Sequence, residues 1–168
     1  MRPFTKISFA EAGEKGVNLG YKKYDNEGLV GVTSKEYKKV PHDDFKSAMN
    51  KLVNHTLFLT EFLDEGKFSA VPSEAAAGYR VTGVSFSGED DKAGFIITGY
   101  KTLKSGKGFA FNTPLIKENN EDYVFMEELL KDLQDLKTAA EDYLGGKYGV
   151  KKQLELVLPE EGEPAPQN

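Results

Sequence analysis

Lys6-Ile7-Ser8-Phe9-Ala10 alternates polar and apolar residues, the pattern of a strand with one buried face. The Gly13–Gly16 turn region leads into Val17-Asn18-Leu19-Gly20-Tyr21-Lys22-Lys23-Tyr24, which reads as a second strand. Asp25-Asn26-Glu27-Gly28 is turn chemistry, because Asn and Gly tolerate positive φ. Leu29 to about Val40 follows as a third extended stretch, with a break expected near Ser34. The chain therefore opens on a three-stranded meander. Pro41-His42-Asp43-Asp44 then supplies a helix start, with Asp43 or Asp44 expected to cap free N–H groups. Phe45, Ala48, Met49, Leu52, Val53, Leu59 and Leu63 follow at three-to-four spacing, which predicts a helix over about 43–63 that stops near Asp64-Glu65-Gly66.

Residues 66–78 are small and turn-rich and read as a loop. Strands resume at Tyr79–Ser87, with Val81, Val84 and Phe86, and again at Phe95-Ile96-Ile97-Thr98 after a polar turn over Ser87–Ala93. Phe109-Ala110-Phe111 follows the Lys104–Gly108 turn as a further hairpin arm. Met126, Leu129, Leu133, Leu136, Ala140 and Tyr143 step by three and four, which predicts a long C-terminal helix over about 121–144, stopped by Gly145-Gly146. Leu154, Leu156 and Leu158 alternate in a last expected strand over Val150–Leu158. Residues 159–168 are acidic and proline-rich and are expected to be a disordered tail, leaving 1–158 as a single globular domain.

The expected fold class is α+β: a five- or six-stranded antiparallel barrel or sheet with one inserted helix and one long C-terminal helix. Three strands, a connecting helix and two strands is the element order of the oligonucleotide-binding (OB) barrel. The alternative treats the two helices as equivalents and reads a tandem repeat of three strands plus a helix, although the halves show no sequence similarity.

Charge divides the chain. Residues 1–117 hold 17 Lys and Arg against 14 Asp and Glu, while residues 118–168 hold 5 against 13. Of the 22 basic residues 20 are Lys, mobile point charges that lack the bidentate fork with which Arg reads base edges. Cysteine is absent, which removes disulfides and thiolate chemistry and suits a reducing compartment. No leader-like apolar region follows Met1, and nowhere do 18 apolar residues run together. A cytoplasmic, non-membrane protein is expected, in the host cytoplasm if it is phage-encoded.

Within this acidic chain lysines sit beside aromatics in strand-like segments: Tyr21-Lys22-Lys23-Tyr24, Tyr37-Lys38-Lys39, Tyr100-Lys101 and Lys104–Phe111. Strand parity puts Lys22 and Tyr24 on one face, and puts Thr98, Tyr100 and Lys104 opposite Phe95 and Ile97. Cations that track phosphates and rings that stack on any base are what a sequence-tolerant oligonucleotide groove needs. The candidate set is Lys22, Tyr24, Tyr37, Lys38, Lys39, Tyr100, Lys101, Lys104, Lys107, Phe109 and Phe111. The other reading of the pattern is ordinary strand surface, with tyrosine and phenylalanine favouring strands and lysines guarding edges.

Other motifs carry less. His42 and His55 are separated by about 20 Å of helix at 1.5 Å per residue, too far for a shared metal. Glu89-Asp90-Asp91 lacks the ligand spacing and central glycine of a calcium loop. Lys104-Ser105-Gly106-Lys107-Gly108 is not a phosphate-binding P-loop and opens no helix. No nucleophile–base spacing is visible, so no enzymatic activity, catalytic residue, metal or cofactor is expected.

In element order over residues 4–113 and in its acidic, Pro-containing end, the chain resembles phage-encoded single-stranded-DNA-binding proteins. It departs from bacterial single-strand binders in having no Trp and in ending Pro-Ala-Pro-Gln-Asn where they carry an acidic, hydrophobic tip. The expected function is sequence-tolerant binding of single-stranded DNA or RNA by a phage replication or recombination accessory. The alternative is a protein-interaction module, such as a phage accessory or an inhibitor of a host protein. A protein partner for the acidic tail and a homo-oligomer are further expectations.

Overall fold

The computed structural model describes residues 2–10, 16–63 and 76–149. Strands β1 (Phe4–Ala10), β2 (Gly16–Asp25) and β3 (Gly28–Tyr37) precede helix α1 (Asp43–Leu59); β4 (Tyr79–Ser87), β5 (Gly94–Thr102), β6 (Gly108–Asn112) and the short β7 (Ile116–Lys117) precede helix α2 (Met126–Leu144). All strand pairs are antiparallel. The sheet runs β3-β2-β1-β4-β5-β6, and β7 adds to β5 beside Gly94 and Phe95. This is an α+β fold with an open antiparallel sheet of six to seven strands and two helices, in the strand and helix order expected of an OB-like sheet.

The same order is symmetric about its centre. Ile7 of β1 pairs with Val84 of β4; on one side Ile7 pairs with Leu19, and on the other Val84 pairs with Ile97. Each half is thus built on a three-stranded meander and ends in a helix, the second half inserting the short β7 before its helix. The inward parity is the one the sequence predicts: Ile7, Phe9, Val17, Leu19, Val84, Phe95 and Ile97 are buried. They join Phe45 and Leu52 of α1 and Leu129, Leu133 and Leu136 of α2 in one hydrophobic core. Both helices pack on this face.

Four local expectations need correction. α1 ends at Leu59, because Glu61 turns left-handed at φ 58° and the N–H groups of Phe62 and Leu63 fold back onto the Leu57 carbonyl. α2 begins at Met126 rather than near Glu121. There the Asn120 side chain accepts the Asp122 N–H at 2.9 Å, a local bond that competes with the helix ladder. The α1 N-cap is His42, without a side-chain cap bond; Asp43 and Asp44 lie in the first turn, where the helix dipole favours carboxylates. Finally, β3 runs unbroken through Ser34, which pairs with Gly20, and the irregularity of the β2–β3 ladder falls between Lys23 and Tyr24. The expected strand over 150–158, the tail, and most of the expected loop over 66–78 lie outside the described residues.

Candidate nucleic-acid interface

The eleven candidate residues do not share one face. Because residues paired across antiparallel strands point the same way, the register sorts them. Lys22 and Tyr24 fall on the face that bears no helix among the described residues, as does Tyr100. Lys101, Phe109, Phe111 and Tyr37 fall on the helix side, since Lys101 pairs with Phe109, Gly99 with Phe111 and Val17 with Tyr37. The single groove is therefore replaced by three groupings.

Tyr37, Lys38 and Lys39 form the first, at the β3 edge. Tyr37 is half-buried, packed edge-on to the core Tyr143 ring at 5.8 Å, and burial raises its hydroxyl pKa. The Lys39 carbonyl accepts the Tyr143 hydroxyl at 2.7 Å while its ammonium lies 4.3 Å from the Tyr148 ring. Lys38 is exposed in the connection to α1. Tyr37 is a packing residue here, because its ring is already used against the core.

The face opposite the helices holds the second grouping. It is lined by small polar side chains that bond one another, Ser34 to Asn18 at 3.3 Å and Thr98 to Asn112 at 2.9 Å. A Cβ on Gly83 would stand 2.9 Å from the Ser8 Cβ, closer than the about 4.5–5.5 Å usual for directly opposed residues, so β1 and β4 approach closely on this side. Arg80 lies 4.1 Å from the Tyr100 ring. Lys22 and Tyr24 meet as parity predicts, but both donate to the same Glu89 carboxylate oxygen, Tyr24 at 3.2 Å. The hydrogen bond and charge of Glu89 raise the Lys22 pKa, and Lys22 in turn lowers that of Glu89.

The third grouping is the densest and sits on the β5–β6 arm. Phe111 is 4.9 Å from Phe62, 6.0 Å from Tyr79 and 6.3 Å from Phe109, and the Lys101 ammonium lies 3.7 Å from the Tyr79 ring centre. Phe62 and Phe109 remain 44% and 46% exposed. Lys104 and Lys107 occupy the turn between β5 and β6, closed by Leu103 N–H to the Lys107 carbonyl at 2.7 Å. β5 ends at Thr102, so Lys104 belongs to this exposed turn and not to the regular strand its parity assumed. From Gly94 to Lys117 the chain holds four lysines and no Asp or Glu, so the arm is positive without internal compensation. Beside it Leu59, Phe62, Phe111 and Pro114, with Thr60, Glu61 and Asn112, line a mainly apolar hollow of about 260 Å³.

Sequence reasoning missed Phe62, Tyr79 and Arg80. Phe62 falls inside the helix that the apolar spacing predicts over about 43–63, whereas α1 ends at Leu59. Tyr79 stood at a strand start with no lysine beside it. Arg80, one of two arginines, gives no signal in a pattern of lysines beside aromatics.

The buried polar cluster lies elsewhere, between the helices. His55 is fully buried, its Nδ1 2.8 Å from the Tyr123 hydroxyl and its Nε2 3.4 Å from the Asp132 carboxylate. Burial pulls the imidazole pKa down to about 4 and pushes those of Tyr123 and Asp132 up. No group of three or more His, Asp or Glu able to hold a metal occurs among the described residues, and none of their helices is long and apolar enough to cross a membrane. No family model matches the chain, and no match is found among curated proteins or solved structures.

Proposed function

We propose that the protein binds single-stranded nucleic acid without sequence preference, and that the β5–β6 arm is the centre of the site. One observation carries this reading: Phe62 and Tyr79 pack against Phe111, beside Phe109, on the arm, whose own residues 94–117 include Lys101, Lys104 and Lys107 and no carboxylate, Glu61 beside Phe62 being the acid that lines the adjoining hollow. Partly exposed rings offer stacking surface for unpaired bases at ~1–3 kcal/mol each, and every base has a π-face. Lysine ammonium groups supply phosphate neutralisation without base-edge readout. A replication or recombination accessory of a phage, the role suggested by the resemblance, would use such a surface to hold exposed strands. The test is equilibrium binding of labelled oligo-dT, the same sequence annealed to its complement, and a mononucleotide. Saturable binding of the single strand, weaker binding of the duplex and none of the mononucleotide is expected; equal binding of all three would end the proposal.

A second reading is favoured by the hollow that Leu59, Phe62, Phe111 and Pro114 line. A partner protein could seat an apolar side chain there, since interface anchors are apolar or aromatic groups in pockets. Substituting Pro114, which lines the hollow but is not one of the clustered rings, would then abolish partner capture while leaving oligonucleotide affinity unchanged.

A further inference from the structure

Glu89 occupies the position of an anion. Its carboxylate oxygen accepts from the Lys22 ammonium and the Tyr24 hydroxyl together, on the sheet face opposite the helices. The β4–β5 loop aims it there. Gly88 and Asp90 on either side both take left-handed backbone, at φ 73° and 50°. At Gly88 a side chain is impossible, since a Cβ would fall 2.0 Å from the Lys92 carbonyl oxygen. Asp is one of the few non-glycine residues that take the Asp90 conformation, because its short side chain can bond locally. Yet the Glu89 side chain is 65% exposed, and an exposed ion pair of this kind is weakly held.

We infer that Lys22 and Tyr24 form a second phosphate subsite for the single strand, and that Glu89 is its built-in competitor. This rests on the nucleic-acid reading above. A non-bridging phosphodiester oxygen accepts the same two donors in the same geometry, so it can replace the carboxylate without rearranging the sheet. The subsite lies on the face reached from the arm by way of Tyr100 and Arg80. Arg80 is at the start of β4 and Glu89 just past its end, so a strand contacting both crosses the length of β4, about 30 Å at ~3.3 Å per residue. Lys6, exposed on the same face and paired in register with Gly20 and Ser85, offers a cation along the way. The contact therefore engages only a strand long enough to leave the arm, and it engages in exchange for Glu89. The competitor keeps this part of the face closed to stray anions and opens it to a tethered phosphate, whose effective concentration is high.

The experiment is fluorescence anisotropy with labelled oligo-dT of about 30 nucleotides over a KCl series. It compares the unmodified chain with Glu89→Gln, Glu89→Gln combined with Lys22→Gln, Asp91→Asn, and Lys104→Gln/Lys107→Gln. Glu89→Gln is expected to bind about three- to tenfold tighter at low salt. Its log–log salt slope should steepen by about 0.7, one further phosphate on a single strand. Adding Lys22→Gln should remove both gains, and Asp91→Asn, in the same loop, should leave the slope unchanged. The inference is overturned if Glu89→Gln binds like the unmodified chain, or if its gain survives Lys22→Gln, which would make it a general field effect. In either case weakened binding by Lys104→Gln/Lys107→Gln leaves the arm proposal standing. Failure of the unmodified chain and Glu89→Gln alike to bind the oligonucleotide overturns both.

Discussion

Phe111 lies over Gly99 of the neighbouring strand so closely that a Cβ there would meet its ring at 2.3 Å. The missing side chain is what lets the ring settle against Tyr79 and Phe62. Gly99→Ala should therefore cost about 1–3 kcal/mol by overpacking and weaken oligonucleotide binding by displacing the ring. Gly31→Ala is the control, since nothing lies within 4 Å of a Cβ at that position. Thermal melting and anisotropy on the two variants check this; equal effects would mean that the ring's seat on Gly99 is irrelevant.

The rings divide by role. Phe109→Ala, on an exposed ring of the arm, should lower oligonucleotide affinity by about 1–3 kcal/mol with little change in stability. Tyr37→Ala, at a ring packed on Tyr143, should do the reverse, destabilising by a few kcal/mol and leaving the affinity of the folded fraction intact. Urea unfolding beside binding isotherms separates the two effects, and a binding loss at Tyr37 would restore that residue to the site.

Stability should depend on pH through His55. Its folded pKa of about 4 lies below the ordinary imidazole value of about 6.5, so the folded state binds fewer protons than the unfolded chain across that window. The contribution is fully present above about pH 6.5 and is lost as pH falls toward 4, at most about 3 kcal/mol. Asp132, whose pKa is raised by burial, works in the opposite direction, because its protonation favours the folded state. A net loss of about 1–3 kcal/mol between pH 7.5 and 4.5 is expected in urea unfolding, and His55→Gln should flatten it. An unchanged slope in that variant would place the pH dependence elsewhere.

Much of the fold was legible because the sheet is half-buried. Alternation at Ile7/Phe9, Val17/Leu19 and Phe95/Ile97 marks the core face, and the 3-4 spacing from Met126 to Tyr143 marks α2. What failed was decided by single bonds that leave no periodic trace. Glu61 left-handed and the Asn120 side chain on the Asp122 N–H set helix ends that apolar spacing could not show. The site was half legible for a related reason. Parity within one strand is a local property, so Lys22 with Tyr24, and Phe109 with Phe111, came out together. Which strands share an edge, and which face the helices cover, is long-range, so Tyr37 was grouped with residues on another part of the molecule. Glu89 lies in the polar turn expected over Ser87–Ala93, and only the folded sheet brings it to Lys22, 67 residues away.

The central claim is that the β5–β6 arm holds a single strand through its lysines. The most direct measurement is the salt dependence of oligo-dT affinity for the unmodified chain and for Lys104→Gln/Lys107→Gln, followed by anisotropy. Measurable binding at about 50 mM salt is expected, with a log–log slope that the double variant reduces by about 1.4, two phosphates at 0.7 each on a single strand. No binding at that salt, or an identical slope in the double variant, would contradict the account.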